Sequence, residues 1–170
     1  VQVPVFLWSD RLTIRPGFAG TFSPGEAFGW APQLSLQLKP KVGWRLWTTV
    51  GRAYRLPDMW ELYGDRGASV GNPDLKPEAG WRGDIGVSID GSLSKISSGT
   101  LALASFYKRD EDRVVYVQNA TRTLVPVNFG ESRAWGLEAS VMWDFAERLF
   151  IQGQLTWMWT ENLDVRPELR

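Results

Sequence analysis

Apolar and polar residues alternate with a period of two along most of this 170-residue chain, the spacing at which neighbouring side chains point to opposite faces of a β-strand. From Leu12 one phase reads Leu12, Ile14, Pro16, Phe18, Gly20 and Phe22, with Thr13, Arg15, Gly17, Ala19 and Thr21 between them. The same contrast recurs at 34–38, 44–50, 81–89, 135–145 and 149–159. The apolar phase of these runs carries no charge, whereas the interleaved phase carries Arg15, Arg45, Arg82, Asp84, Glu138 and Asp144. Helical periodicity is scarce. The pattern predicts about eight antiparallel strands, at 1–8, 11–22, 31–39, 43–53, 79–90, 99–118, 123–145 and 148–162.

Alternation alone fits any antiparallel sheet with one wet face, a soluble β-sandwich or barrel included. Two details favour lipid on the apolar side. Trp44, Trp81, Trp135, Trp143, Trp157 and Trp159 all fall in the apolar phase, at or near run ends, where an interfacial girdle belongs. The runs also exceed the ~5–6 residues of a typical soluble strand and suit the ~9–11 that cross a bilayer. Connections largely alternate between tight (Ser9-Asp10, 39–43, Ala146-Glu147) and long (23–30, 53–77, and a polar stretch around 110–122), as periplasmic turns and extracellular loops do. The segment 91–99 is long for a turn in that scheme. The strands 99–118 and 123–145 are expected to project beyond the membrane as a hairpin.

Composition narrows the chemistry. Lysine plus arginine and aspartate plus glutamate both number 19, so nothing in the charge points to nucleic acid. Cysteine and histidine are absent, which removes disulfides, thiolate metal sites, and the usual neutral-pH base and metal ligand. Paired carboxylates could still cleave glycosides, but no pair has a spacing that demands it. No catalytic residue, resident metal or cofactor is expected. No run approaches the ~20 apolar residues of a membrane helix. Aromatic residues make up 13% of the chain, in keeping with a girdled barrel. The chain starts at Val1-Gln2-Val3-Pro4 without a signal-peptide pattern and stops as abruptly, so both ends are read as cuts through a longer protein.

The region 51–78 carries the most specific motifs: Gly51-Arg52-Ala53-Tyr54-Arg55-Leu56-Pro57, Glu61-Leu62-Tyr63, and Gly71-Asn72-Pro73-Asp74-Leu75-Lys76-Pro77-Glu78. Downstream stands Val127-Asn128-Phe129-Gly130-Glu131-Ser132-Arg133-Ala134-Trp135-Gly136-Leu137-Glu138, and upstream Pro16-Gly17 lies within the run from Leu12 to Phe22. In this order and spacing they resemble the barrel of TonB-dependent outer-membrane receptors, cobalamin and siderophore receptors among them. The resemblance implies an all-β, antiparallel transmembrane barrel of about 22 strands, closed around a plug. Residues 1–170 would supply about eight of these strands, without the plug domain and the last strands. It further implies a multi-pass protein of a Gram-negative outer membrane that imports a scarce nutrient such as a ferric siderophore, cobalamin or a similar chelate. Its partners would be outer-membrane lipid, its own plug, the TonB system and the chelate, with no nucleic acid. A self-contained eight-stranded barrel of structural or adhesive role is the alternative that strand number and length allow.

Candidate site residues follow. Pro57 and Pro73 cannot hold central ladder positions, and Asn72 and Lys76 precede prolines, which holds them extended or in a turn. Arg52, Pro57, Asn72, Pro73, Leu75, Pro77 and Glu78 are therefore read as bracing a long loop, with direct ligand contact as the alternative. Within it Arg55, Trp60, Tyr63 and Arg66, beside Asp65, suit an anionic, partly flat ligand, against the plainer reading of a solvated, mobile loop. Related haem receptors usually place a histidine between these boxes, so its absence disfavours haem. Arg45, Arg82, Asp84, Glu138 and Asp144 are expected to face the lumen, mostly in ion pairs and plug contacts. Asp110, Glu111 and Asp112 are read as solubilising charge rather than a calcium site.

Overall fold

In the computed structural model of the chain, which describes residues 5–7, 11–22, 28–94, 96–145 and 148–163, the strands join in one antiparallel sheet in sequence order. They are β1 (Val5–Leu7), β2 (Leu12–Thr21), β3 (Gly29–Leu38), β4 (Trp44–Arg55), β5 (Glu78–Ser94), β6 (Ser97–Gln118), β7 (Leu124–Phe145) and β8 (Leu149–Asn162). One short helix, α1 (Met59–Tyr63), interrupts the β4–β5 connection. The tight connections expected at Ser9-Asp10 and Ala146-Glu147 lie outside the described residues. No helix among the described residues is long and apolar enough to cross a membrane.

The register keeps the two sequence phases on two faces throughout. Ile14 pairs with Leu36, Leu36 with Thr48, Thr48 with Ile85, Ile85 with Ser105, Ser105 with Leu137, and Leu137 with Trp157. A slip of one residue anywhere would have mixed the faces. Burial runs opposite to that of a soluble sheet. Thr13, Ser88 and Asp110, all on the polar face, are buried, while Ile85 and Leu155 on the apolar face are 63% and 66% exposed. The buried large hydrophobic side chains among the described residues are Leu62 and Leu75, and both lie in the β4–β5 connection. The wall thus has no hydrophobic core of its own. Its apolar face requires an apolar solvent.

Aromatic residues bound that face at two levels. Trp30, Trp81, Tyr107, Trp135 and Trp159 stand toward one end, with Trp135 stacked on Trp159 at 6.5 Å. Trp44, Trp143 and Phe145 stand at the other, where Trp143 and Phe145 lie 6.1 Å apart. Trp135 and Trp143 are separated by ~8 residues, or ~27 Å along a strand and ~20 Å after a ~40° tilt, close to the ~25 Å apolar band of a membrane barrel. Thr48 lies within this band, and its hydroxyl donates to the Asp84 carbonyl at 2.8 Å, which satisfies that polar group internally. Just beyond the first aromatic level the same face turns charged. There Arg109 pairs with Glu131 and Arg133 with Glu161, the latter at 2.6 Å.

Strand ends depart from the sequence reading in two places. The segment 91–99 is not a loop: pairing continues through Gly91↔Gly99 and Ser92↔Ser98 to Ser94↔Ser97. The polar serines allow the ladder to leave the membrane without breaking, so the connection is tight after all. At the other end β4 runs on to Arg55. Arg52, within the expected strand 43–53 but read as part of the loop brace, lies instead in the apolar phase of β4, with its guanidinium 4.6 Å from the Trp30 ring centroid and Nη1 donating to the Trp30 carbonyl at 2.7 Å.

Candidate functional site

The end of the wall carrying the β4–β5 connection and the projecting β6–β7 hairpin, called here the outer end, concentrates the polar chemistry. Pro57 precedes the N-cap of α1. Asp58 accepts from the backbone N–H groups of Trp60 and Glu61, while Glu61 reaches back to the Asp58 N–H at 2.8 Å, a complete capping box. Five residues are too few for a free helix, so tertiary contacts must hold it.

Arg55 supplies the main one. Its Nη1 and Nη2 donate to the two Glu61 oxygens at 2.8 and 3.1 Å, and its Nε donates to Glu78 at 2.8 Å. One guanidinium thereby joins the end of β4, the first turn of α1 and the start of β5. The second Glu78 oxygen accepts from the Val114 N–H at 2.7 Å, which ties in β6. The Arg55 hydrogen bond, helped by the Val114 amide and opposed by partial burial, holds the Glu78 carboxyl below the usual range. Glu78 and then Glu61 hold Arg55 firmly protonated.

Two asparagines complete the brace. Asn72 Nδ2 donates to the Pro126 carbonyl at 3.0 Å, and its oxygen accepts from the Asp74 N–H, closing an Asx turn. Asn128 acts as a substitute strand: its oxygen accepts from the Lys76 N–H at 2.7 Å, and its Nδ2 donates to the carbonyls of Lys76 and Asp112. Backbone bonds from Val70 N–H to Leu124 and from Leu124 N–H to Ala68 dock the loop on the hairpin. Leu62, Leu75 and Pro126 are buried in this assembly. The 56–77 connection is thus a folded module, built by interactions that link residues up to 54 positions apart.

The sequence-derived candidates divide accordingly. Arg55 is engaged by two carboxylates, whereas Trp60 and Tyr63 are exposed and Arg66 stacks 4.5 Å over the Trp60 ring. Pro57, Asn72, Leu75 and Glu78 lie inside the brace, with Pro73 and Pro77 flanking its turns, while Arg52 lies on the apolar face of the wall. Arg45, Arg82, Asp84, Glu138 and Asp144 share the polar face but do not converge. Arg45 and Asp144 sit toward the turn end, Glu138 in mid-wall, and Arg82 and Asp84 toward the outer end.

Below the module lies a cleft of about 300 Å³ lined by Arg55, Glu78, Arg82, Lys108, Asp110 and Arg113. Arg82 is directly opposite Lys108 in the ladder, and Lys108 pairs with Asp110 at 2.6 Å. Arg82 and Arg113 enter no ion pair among the described residues. The cleft therefore presents cationic groups to anything entering from the outer end. Sequence reading gave no role to Lys108 or Arg113, nor to Glu61 and Asn128 beyond their place in the motifs; strand parity puts Lys108 on the face of Arg82, but only the register sets the two opposite each other. The acidic run Asp110, Glu111, Asp112 is split by the strand: Asp110 is buried against Lys108, Glu111 faces Arg109, and Asp112 takes φ +54°. The three do not form a uniformly solvated patch, and no cluster of three potential acidic ligands occurs among the described residues.

Comparison with known proteins agrees with this architecture. Residues 8–168 match the family described as TonB dependent receptor-like, beta-barrel. The siderophore receptor PirA from Pseudomonas aeruginosa superposes with a TM-score of 0.76 at 18% identity, over 88% of this chain and 28% of that one. The Serratia marcescens hemophore receptor HasR, solved with its hemophore HasA and heme, gives 0.70 at 17% identity, over 89% and 32%. The copper transporter OprC gives 0.66 at 15% identity, over 91% and 27%. The chain spans about three tenths of the length of these structures, and at such identities the likeness speaks to fold alone. With its family matched over nearly its whole length, the chain belongs to the β-barrel of the TonB-dependent receptors, an outer-membrane transport family.

Proposed function

We propose that these 170 residues form part of the wall and one folded outer loop of a receptor for TonB-energised uptake of a scarce chelate across a Gram-negative outer membrane. A ferric siderophore, cobalamin or a similar complex fits the site. The observation that carries this reading is the rigid module of Arg55, Glu61, Glu78, Asn72 and Asn128. It holds an exposed Trp60–Arg66 stack above the cleft containing Arg82 and Arg113. Flat, anionic ligands are bound by such a pairing of aromatic faces and guanidinium groups. Arg55, bound to two carboxylates, positions the loop, while Trp60, Tyr63 and Arg66 are the residues offered to ligand. The plug, lumen partners of Arg45, Glu138 and Asp144, and the TonB system belong to the complete receptor.

Uptake by cells whose only receptor is the complete protein tests the reading, with a panel of ferric siderophores, cobalamin and copper chelates as probes. At least one is expected to enter in a manner abolished by a protonophore. Joint substitution Trp60→Ala and Arg66→Ala is expected to weaken its binding about tenfold, from loss of one cation–π and one charge-assisted contact. Uptake that ignores the protonophore, or no uptake of any chelate, would overturn it.

A further inference from the structure

At the opposite end of the wall, Arg11, Lys39, Lys41 and Arg45 line one cleft of about 410 Å³ with Trp44 and Asp90. The Lys39 N–H donates to the Arg11 carbonyl at 2.8 Å, which carries the β2–β3 ladder one rung beyond Leu12↔Leu38. Arg45 precedes Leu46, the partner of Leu38. Three cations on three consecutive strands therefore stand at one level, an arrangement that repels itself unless an anion is shared. None of the four forms an ion pair among the described residues. Asp90, the single carboxylate of the cleft, already accepts from the Thr100 hydroxyl at 2.8 Å. Among the described residues the cleft thus sets four cations against one carboxylate. Of its members the proposed uptake function uses only Arg45, as a lumen-facing residue.

Its position identifies the anion. Arg45 belongs to the polar face and Trp44 to the apolar face, yet both line this cleft. Lys41 lies with Nζ 4.4 Å over the Trp44 ring centroid, and Val42 beside it is fully exposed. A group touching all of these sits under the edge of the wall, at the depth marked by Trp44, neither inside the lumen nor among acyl chains. Lipid phosphates occupy that depth. An acidic protein segment in the lumen mouth would meet Arg11, Lys39 and Arg45 but leave Lys41 and Trp44 aside. We propose that the cluster seats the phosphate of an anionic glycerophospholipid in the leaflet on the turn side, so that the wall selects and is anchored by that headgroup. The inference rests on the reading of the apolar face as lipid-facing.

Brominated lipids provide the test. The complete receptor is reconstituted in phosphatidylcholine vesicles containing phosphatidylglycerol, with the bromines on one lipid or the other at equal mole fraction. The quenching that disappears in Trp44→Phe isolates the local signal. Brominated phosphatidylglycerol is expected to quench it at least about twofold more than brominated phosphatidylcholine, because each basic side chain near the surface favours anionic lipid. Joint substitution Lys39→Gln, Lys41→Gln and Arg45→Gln should bring the two to parity, and Lys41→Gln alone, on the exposed turn, should move them partway. Lys39→Arg with Lys41→Arg should keep the preference. Equal quenching in the parent protein, or a preference surviving the triple substitution, would overturn the inference while leaving the membrane wall intact. Absence of quenching by either lipid would overturn the lipid-facing reading itself.

Discussion

The wall and the module above it are held together in opposite ways. The wall is regular backbone ladder with its hydrophobic residues outside, and its side chains make few specific contacts with one another. The module has little regular structure: Leu62 and Leu75 are buried in it, and its shape comes from side chains bonded to distant backbone. In lipid the first arrangement suffices, because an unpaired backbone group there costs several kcal/mol and the continuous ladder pairs each strand with its neighbours. In water the second is needed, because a connection of this length has no ladder to hold it and pays the entropy of ordering. One chain changes strategy within a few residues, between Trp81 and Glu78.

The sharpest way to break that contrast is a charge on each side of β8. Leu155 and Gln154 are sequence neighbours on opposite faces, both exposed. In the assembled receptor Leu155→Arg is expected to cost about 2–4 kcal/mol, as a cation in mid-bilayer does, whereas Gln154→Arg should change stability little. Urea titration of the receptor folded into vesicles measures both, and equal costs would erase the distinction between faces.

In the module the corresponding test is Arg55→Ala. With a guanidinium nearly half exposed, its three charge-assisted bonds are expected to contribute about 1–2 kcal/mol. That loss should stay local. Hydrogen exchange at the Gly71 and Asn72 amides, which bond to Gly64 and Glu61, should quicken while β5 and β7 amides do not. Arg55→Lys should rescue little, since an ammonium cannot span Glu61 and Glu78 together. Uniform acceleration through the wall would mean the module is not a separate unit.

Acid should act more gently and on the same place. Glu78 is held below the ordinary carboxyl range by Arg55. Its contribution is therefore complete above the unfolded value of about 4.3 and is lost as pH falls through the folded value. Exchange at Asn72 should be set by this module evenly from about pH 6 to 8, after correction for intrinsic rates, and rise only below about pH 4. Glu78→Gln should remove that acid step. A step near neutrality would contradict the assignment, because the chain holds no histidine to supply one.

The same contrast explains what could be read from the sequence. Period-two alternation is a local signal, so the strands, the face carrying Trp81 to Ile89 and even the projecting hairpin were legible without coordinates. Errors at strand ends arose where composition changed faster than backbone: Ser92 to Ser98 read as a turn because it is polar, yet its ladder continues. Arg52 looked like part of the loop motif, although counting on from Trp44, Leu46, Thr48 and Val50 puts it on the apolar face. The module resisted because its determinants are long-range. Nothing near Asn128 announces that its amide will clamp Lys76, and nothing near Arg55 selects Glu78 as well as Glu61. Prolines at 57, 73 and 77 signal an ordered loop without saying what orders it.

The central claim is that one face of this sheet meets lipid and the other does not. Since the chain lacks cysteine, single cysteines at 151–157 of β8 can each carry a nitroxide in the complete receptor. Collision with oxygen, which concentrates in acyl chains, is then compared with collision with a water-soluble nickel chelate. Labels at Ile151, Leu155 and Trp157 are expected to be accessible to oxygen and shielded from nickel, and those at Gln152, Gln154 and Thr156 to lose the oxygen preference, giving a period of two. A profile without that alternation, or one with its phase reversed, would contradict the account.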